Sequence, residues 1–142
     1  MILPDVNVLI YAFRKDVPQH PGCKAWLDAV VEGDAQFAMS PQALSAVVRI
    51  TTNPRVFREP GTLEEVFAFC DNLLGQPHCE RVEPGERHWE IFRRVCRESG
   101  TRGPRVTDAW FAALAIEHGC TWITLDRDYA RFPGLGWKAP DP

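Results

Sequence analysis

The chain has 142 residues, of which 45% are hydrophobic and 25% charged, and its formal net charge is −3. This length predicts one globular domain over residues 1–142 that needs no disulfide or structural metal, and the composition excludes a disordered chain. The longest apolar stretch, Ala109 to Ile116, is too short to cross a membrane, and Met1 begins no basic leader, so we expect a cytoplasmic protein.

The first third of the chain combines short apolar segments with a helical pattern. Met1 to Pro4 is an apolar run that is typical of a buried parallel strand. A helix is predicted over Pro21 to Val31, because Pro21 suits a first turn and Gly33 a position just past the end. Phe37 to Met39 predicts a second strand.

Two capping signals predict the next helices. Ser40 followed by Pro41 is a helix start, and this helix is expected to run toward Thr51. Thr62 with Glu65 three residues later forms a capping box that begins another helix. The inner face of that helix is expected to carry four apolar side chains, Leu63, Val66, Phe67 and Cys70.

The second half of the chain continues the alternation of predicted strands and helices. Arg81 and Val82 fit a short strand, and Glu86 to Ser99 is predicted to be helical, with arginines opposite its apolar side. That apolar side comprises Trp89, Phe92, Val95 and Cys96. Thr107 is predicted to cap a buried helix over Asp108 to His118, and Trp122 to Leu125 is the last clear strand. Strands separated by long helices predict an α/β fold with a central, mostly parallel sheet flanked by helices on both faces.

Acidic residues follow the predicted strands. Asp5 ends the first and Asp126 the last, so both carboxylates are expected at the carboxyl edge of the sheet, where open α/β folds bind ligands. Asp108, at the start of the buried helix, is expected at the same edge, and Asp128 is a fourth candidate. Neutral oxygens lie nearby in sequence on Asn7, Thr107 and Thr124.

Each acid also has a local explanation. Asp108 suits the positive end of a helix dipole, and Asp126 and Asp128 suit a turn. Asp5 lies between apolar residues and needs a partner if it is buried. Taken together, the four positions favour a shared acidic site.

A shared acidic site favours a hard metal ion. Carboxylates in one pocket repel each other unless a cation neutralises them. Oxygen ligands select Mg²⁺, with Mn²⁺ possible, over zinc, and the five cysteines, never spaced as CxxC, are expected to be buried thiols. Such an ion activates water for attack on a phosphodiester, which predicts phosphoryl transfer.

Arginines are concentrated ahead of the acidic helix. Six of them fall between positions 87 and 105, namely Arg87, Arg93, Arg94, Arg97, Arg102 and Arg105. Arginine forks suit phosphate groups, so the cluster is either a surface that binds a polyanion or a solvated helix face. The residues alone leave both interpretations open.

Four segments of the chain carry motifs that span nearly its whole length. They are DVNVLIYAF from Asp5, RITTNPRVF from Arg49, TDAWFAALAIEHG from Thr107 and TLDRDYARF from Thr124. In this order they resemble the motifs of PIN-domain ribonucleases, and more closely those of VapC-type toxins from bacterial toxin–antitoxin pairs. The resemblance implies a Mg²⁺-dependent endoribonuclease that cleaves RNA, is held inactive by a cognate antitoxin and forms a homodimer.

The resemblance also implies roles for individual residues. Asp5, Asp108 and Asp126 match the catalytic, metal-binding acids of the family, and Asp128 is an accessory metal ligand. Arg102 and Arg105 are the arginines best placed to bind the RNA substrate, because they precede the helix that carries Asp108. The four histidines fit no general-base pattern.

The second motif departs from the family pattern. Many members have a glutamate three residues before the arginine that corresponds to Arg49, and this chain has Ala46 there. No acid lies between Asp34 and Glu59. Either fewer carboxylates hold the ion, or activity is weak, or another acid such as Asp128 compensates.

Three other functions compete with a nuclease. A degenerate PIN-fold binding module would keep the fold and its partner without hydrolysis. A haloacid-dehalogenase-like phosphatase is suggested by Leu125 to Asp128, which imitates the DxD turn of that class, although the residues after Asp128 are too few for the rest of its sheet. A receiver-like phosphoacceptor domain is disfavoured because no lysine is expected near the acidic edge; the lysines are Lys15, Lys24 and Lys138.

Overall fold

The computed structural model describes residues 1–141 and contains a five-stranded sheet whose strands are all parallel. The strands are β1 (Ile2–Pro4), β2 (Phe37–Met39), β3 (Cys79–Arg81), β4 (Thr121–Ile123) and β5 (Trp137–Lys138). Their order across the sheet is β3-β2-β1-β4-β5. The strands from the two ends of the chain, β1 and β4, therefore lie side by side at its centre. Pro142 lies outside the described residues, and the boundaries of the domain stay a prediction.

Within the described residues, six α-helices cover the sheet. They are α1 (Val6–Phe13), α2 (His20–Glu32), α3 (Pro41–Thr51), α4 (Leu63–Leu74), α5 (His88–Ser99) and α6 (Val106–Glu117). Two apolar clusters form the core, one supplied mainly by α1 to α4 and the other mainly by α5 and α6. Neighbouring residues of a strand point into different clusters, as Ile123 and Trp122 do in β4. The predicted α/β fold with a parallel sheet between helical layers is confirmed.

Both predicted helix caps are present. The Ser40 hydroxyl accepts a hydrogen bond from the backbone N–H of Ala43 at 3.1 Å, at the start of α3. The Thr62 hydroxyl accepts one from the backbone N–H of Glu65 at 3.2 Å, at the start of α4. These bonds satisfy backbone donors that the first helical turn leaves unpaired.

Two elements were not predicted, α1 and β5. In α1 the run Val8, Leu9 and Ile10 is buried on all sides, so it lacks the polar positions that reveal a helix by periodicity. β5 has only two residues, Trp137 and Lys138, which is too short for a pattern. The β3 strand also begins earlier than Arg81 and Val82 suggested.

The predicted burial of three apolar side chains was wrong. Leu63 and Phe67 were placed on the inner face of α4, but they are 54% and 48% exposed, whereas Val66 and Cys70 are buried. Trp89 was placed on the apolar face of α5 but is 64% exposed.

The predicted cap at Thr107 was also wrong. The N-cap of α6 is Arg105, and α6 begins at Val106, so Thr107 already lies inside the first turn. A short 3-10 turn, Gly103–Arg105, leads directly into this helix and takes the place that the sequence assigned to a capping hydroxyl.

The five cysteines are free thiols, as expected, and three of them are buried: Cys23, Cys70 and Cys120. Among the described residues, no helix combines the length and apolar character that crossing a bilayer would require.

The corrected face of α4 leads to a test of the packing. Val66→Ala is expected to lower the free energy of unfolding by about 2 kcal/mol, because Val66 is fully buried and its truncation leaves a cavity. Phe67→Ala, one residue away, is expected to change it by less than about 0.5 kcal/mol. Urea unfolding of the purified variants measures both, and equal losses would contradict the orientation of the helix.

Candidate active site

The pairing of β1 with β4 brings Asp5 and Thr124 together at the carboxyl edge of the sheet. Pro4 is in register with Ile123, and the backbone N–H of Asp5 donates to the carbonyl of Ile123 at 2.8 Å. The Asp5 carboxylate then accepts two hydrogen bonds of 2.6 Å, from the N–H of Val6 and from the Thr124 hydroxyl. Asp5 therefore caps α1 and is only 6% exposed.

The same Thr124 hydroxyl positions Asp126. It accepts a hydrogen bond from the backbone N–H of Asp126 at 3.0 Å while it donates to Asp5. The Asp126 carboxylate in turn accepts from the N–H of Asp128 at 2.9 Å and caps the short 3-10 turn Arg127–Arg131. One buried hydroxyl therefore fixes the relative placement of two acids from opposite ends of the chain.

Asp108 joins these acids from the first turn of α6. One of its carboxylate oxygens accepts a hydrogen bond from the Tyr129 hydroxyl at 3.3 Å, and the other faces Arg105 Nη1 at 3.3 Å. Tyr129 is buried, and burial followed by the nearby charges of Asp5 and Asp108 raises the pKa of its hydroxyl, so that it remains a hydrogen-bond donor. Tyr129 lies in the fourth motif, but the sequence did not predict its hydrogen bond to Asp108, which lies 21 positions away.

The three acids share one electrostatic environment. Burial raises the pKa of Asp5 to about 6, and the hydrogen bonds from Thr124 and Val6 oppose this shift. The negative charges of Asp108 and Asp126 are smaller contributions to the same increase. The acids that the sequence predicted to converge therefore lie close enough to repel each other.

Arg105 is the cation that contacts this cluster. Its Nη1 lies 3.3 Å from Asp108 Oδ2 and 3.4 Å from Asp126 Oδ2, and its Nη2 pairs with Asp128 Oδ2. The hydrogen bonds to Asp108 and Asp128 raise the pKa of the guanidinium. Within the described part of the chain, Arg102 makes no hydrogen bond or ion pair with these acids. Of the two arginines that the sequence placed near the acids, only Arg105 contacts them.

Asn7 supplies an unpaired oxygen beside the acids. Its amide nitrogen donates to the Thr124 hydroxyl at 3.4 Å, whereas its Oδ1 atom is buried and has no hydrogen-bond partner among the described residues. A buried polar atom without a partner is costly in a folded protein. Its presence next to Asp5 and Thr124 is compatible with a ligand, such as a metal-bound water, that donates to it.

The donor chemistry fits a hard divalent ion. Every candidate ligand is an oxygen atom and most carry negative charge, which suits Mg²⁺ or Mn²⁺. Within residues 1–141, no three His, Cys, Asp or Glu side chains already form a cluster arranged to hold a metal ion. The carboxylates of Asp108, Asp126 and Asp128 point instead at the Arg105 guanidinium.

Ala46, at the position of the family glutamate, lies in a cleft next to the first turn of α6. It lines a cleft of about 320 Å³ that Thr107, the residue before Asp108, also lines. A side chain at position 46 therefore extends into space next to the start of α6. The alanine contributes no carboxylate there, so the acidic residues of the site come only from the loops after β1 and β4 and from α6.

Comparisons with known proteins show which family the chain resembles. A family model described as "PIN domain" matches residues 2–135. The chain is 37% identical over 140 residues to VapC ribonuclease Mb2897 of Mycobacterium bovis, covering 99% of this chain and 95% of that protein. It is 39% identical over 135 residues to Ribonuclease VapC25 of Mycobacterium tuberculosis, covering 95% of each.

Solved structures share the fold at low sequence identity. VapBC2 from Rickettsia felis, bound to a DNA fragment from its promoter, contains a chain that superposes with a TM-score of 0.69 at 16% identity, covering 99% of this chain and 100% of that one. VapC20 of Mycobacterium tuberculosis, described as a sarcin-ricin loop cleaving toxin, gives 0.65 at 12% identity, covering 95% and 98%.

The burial of Asp5 predicts a pH-dependent cost to stability. The folded-state pKa is raised from 3.8 to about 6, so the unfolded chain ionises first, and stability falls as the pH rises through this interval. Asp5→Asn removes the buried charge and can still cap α1. At pH 7.5 with EDTA it is expected to raise the free energy of unfolding by about 2 kcal/mol.

Chemical denaturation between pH 4 and pH 8 measures this effect. The matched control is Asp34→Asn, which removes an exposed carboxylate and is expected to keep the pH dependence of the wild type. A parallel pH dependence in wild type and Asp5→Asn would show that the Asp5 carboxylate does not experience the environment described above.

Proposed function

The chain belongs to the PIN-domain family, and from that premise we propose that it is a metal-dependent endoribonuclease, the toxin of a bacterial type II toxin–antitoxin pair. Its relatives at 37% and 39% identity are named VapC ribonucleases. The observation that carries the proposal is the convergence of Asp5, Asp108 and Asp126 at one sheet edge, where burial and, to a smaller extent, the charges of the other two acids raise the pKa of Asp5.

Four carboxylates would hold the ion, which we propose to be Mg²⁺, with Mn²⁺ as a substitute. Asp5, Asp108 and Asp126 are the main ligands and Asp128 is the accessory one. A bound ion of this type supplies Lewis-acid activation of a phosphodiester and a more acidic water. Hydrolysis of RNA would add one water molecule across one P–O ester bond, with a proton going to the leaving oxygen.

Other residues of the site orient these ligands. The Thr124 hydroxyl fixes Asp5 against Asp126, and the Tyr129 hydroxyl holds one oxygen of Asp108. Both are positioning residues, because they act through the acids. Arg102 and Arg105 are proposed to bind the RNA backbone, since arginine pairs with phosphate through two parallel hydrogen bonds.

Two protein partners complete the proposal, a second copy of the chain and a cognate antitoxin. Large apolar side chains that a monomer leaves exposed supply contact area for them, and these include Trp89, Leu63 and Phe67. A toxin of this kind acts on RNA in the cytoplasm, which is the location we propose.

A second candidate is the degenerate binding module, and the observation that favours it is Ala46 at the position of the family glutamate. In that case the fold and the partner would remain while hydrolysis is lost. The phosphatase and receiver alternatives have no comparable support, because the chain matches the PIN-domain model over residues 2–135.

Sequencing of RNA 5′ ends after induced expression separates the two candidates. The wild type is expected to arrest growth and to produce a narrow set of cuts, whereas Asp108→Asn lowers cleavage by more than about 100-fold. The magnitude follows because even residues that only orient a metal ligand cost 10–100-fold when replaced. Asp34→Asn, with the same chemical change on the surface, serves as the control.

Identical 5′-end profiles for the wild type and Asp108→Asn would contradict catalysis by these acids. If, in addition, neither Mg²⁺ nor Mn²⁺ changes the melting temperature of the wild type, the binding module becomes the better description.

The cleft at Ala46 predicts a gain of function. Ala46→Glu places a carboxylate in the cleft that Val106 and Thr107, in the first turn of α6, also line. The variant is expected to bind Mn²⁺ about tenfold more tightly in calorimetric titration, which corresponds to about 1.4 kcal/mol. Ala46→Gln has nearly the same volume without the charge, so its Mn²⁺ affinity is expected to match that of the wild type. Equal affinities in the Glu and Gln variants would place position 46 outside the metal site.

A further inference from the structure

Arg105 contacts three of the acids of the site, although its side chain is partly exposed. One guanidinium nitrogen bridges Asp108 and Asp126 at 3.3 and 3.4 Å, and the other pairs with Asp128. The arginine thus spans acids from two separate elements, α6 and the 3-10 turn after β4. It is the single cation that contacts these three carboxylates within the described residues.

The backbone brings Arg105 to this position. Gly103 has φ +65°, a left-handed conformation that glycine adopts readily, and it begins the short turn that ends at Arg105. α6 begins at the next residue, Val106. A cation at a helix N-terminus is disfavoured by the helix dipole, so the carboxylates rather than the helix account for this side-chain placement.

The ion pairs of Arg105 with the acids are weak enough for another ligand to replace them. Its side chain is 43% exposed, so water and salt screen its ion pairs, and pairs of this type contribute little net stability. The oxygens that it occupies, Asp108 Oδ2 and Asp126 Oδ2, belong to the proposed metal ligands. An arginine and a metal ion that need the same oxygens exclude each other, which makes their binding competitive.

We propose that Arg105 is the internal counter-ion of the site and that it exchanges the carboxylates for an RNA phosphate when a divalent ion occupies them. The inference rests on the proposed function and adds a regulation to it. The guanidinium opposes metal binding while it neutralises Asp108 and Asp126. Once released, it lies next to the site with both nitrogens free for a phosphate of the substrate.

The exchange couples the two ligands of the protein. A phosphate that engages Arg105 withdraws the guanidinium from the acids and thereby favours the ion. By thermodynamic reciprocity, occupation of the acids by the ion favours phosphate binding to Arg105 by the same factor. The site therefore assembles fully only when metal and RNA are both present.

Calorimetric titration with MnCl₂ alone tests the competition without any reaction. Arg105→Gln is expected to bind Mn²⁺ about tenfold more tightly than the wild type. The matched control is Arg102→Gln, which removes the same charge three residues away from a side chain that makes no hydrogen bond to the acids. Its Mn²⁺ affinity is expected to stay within about twofold of the wild type.

Arg105→Lys keeps the charge but loses the two-pronged contact, so its Mn²⁺ affinity is expected between those of the wild type and Arg105→Gln. If Arg105→Gln fails to fold, Arg105→Lys is compared with the wild type in its place. Equal or weaker Mn²⁺ binding in the folded variants overturns the proposal.

A second measurement follows the arginine itself. In ¹H–¹⁵N spectra the guanidinium signals of Arg105, assigned by their loss in Arg105→Gln, are expected to shift when MgCl₂ is added to the wild type. In RNA cleavage at saturating Mn²⁺, Arg105→Gln is expected to raise KM about tenfold with little change in kcat. Tighter metal binding together with weaker RNA binding is a pair of opposite effects that a merely structural role does not produce.

The outcomes separate this inference from the proposed function. If the wild type binds Mn²⁺ and cleaves RNA while Arg105→Gln binds Mn²⁺ no better, the counter-ion role of Arg105 is contradicted and the proposed nuclease activity is supported. If Arg105→Gln binds Mn²⁺ more tightly but neither it nor the wild type cleaves RNA, the counter-ion role of Arg105 is supported and the proposed nuclease activity is contradicted. If neither the wild type nor Arg105→Gln binds Mn²⁺, both are overturned.

Discussion

The parallel pairing of β1 with β4 is the constraint on which the acidic site depends. Because both strands run in the same direction and Pro4 is in register with Ile123, the residues that follow them emerge at one edge. The Thr124 hydroxyl then joins the two loops by donating to Asp5 and accepting from the N–H of Asp126. The N- and C-terminal parts of the chain are thus locked together at the point where the acids meet, so the site forms only when the centre of the sheet has formed.

This geometry carries an electrostatic cost that folding alone does not require. Asp5 is buried beside two other acids, and its pKa rises to about 6 as a result. A helix cap needs only a hydrogen-bond acceptor, which an asparagine supplies without charge. The retained carboxylate is therefore better explained by ligand binding than by stability, in line with the general trade-off between active-site chemistry and stability.

Sequence patterns predicted the parts of the site that depend on strand edges and helix starts. Asp5 and Asp126 follow from the rule that ligands bind at the carboxyl edge of a parallel sheet, and Asp108 follows from its place in the first turn of a buried helix. The patterns did not predict Tyr129, because its bond to Asp108 depends on how the 3-10 turn after β4 packs against α6. They also misplaced Phe67, since an amphipathic pattern does not distinguish a core from an exposed apolar surface.

The misassigned start of α6 matters most for function. The sequence placed Arg105 ahead of a Thr107 cap as a substrate-binding residue and did not predict its contact with the acids. With the cap at Arg105 instead, the guanidinium is carried to the acids by the same turn that starts the helix. In the proposed metal site, the absence of a carboxylate at Ala46 would favour Arg105, because a site with one acid fewer attracts a divalent ion less strongly. On the proposed mechanism, the missing acid and the contacts of Arg105 would both weaken metal binding, so assembly of the site would depend more on the substrate phosphate.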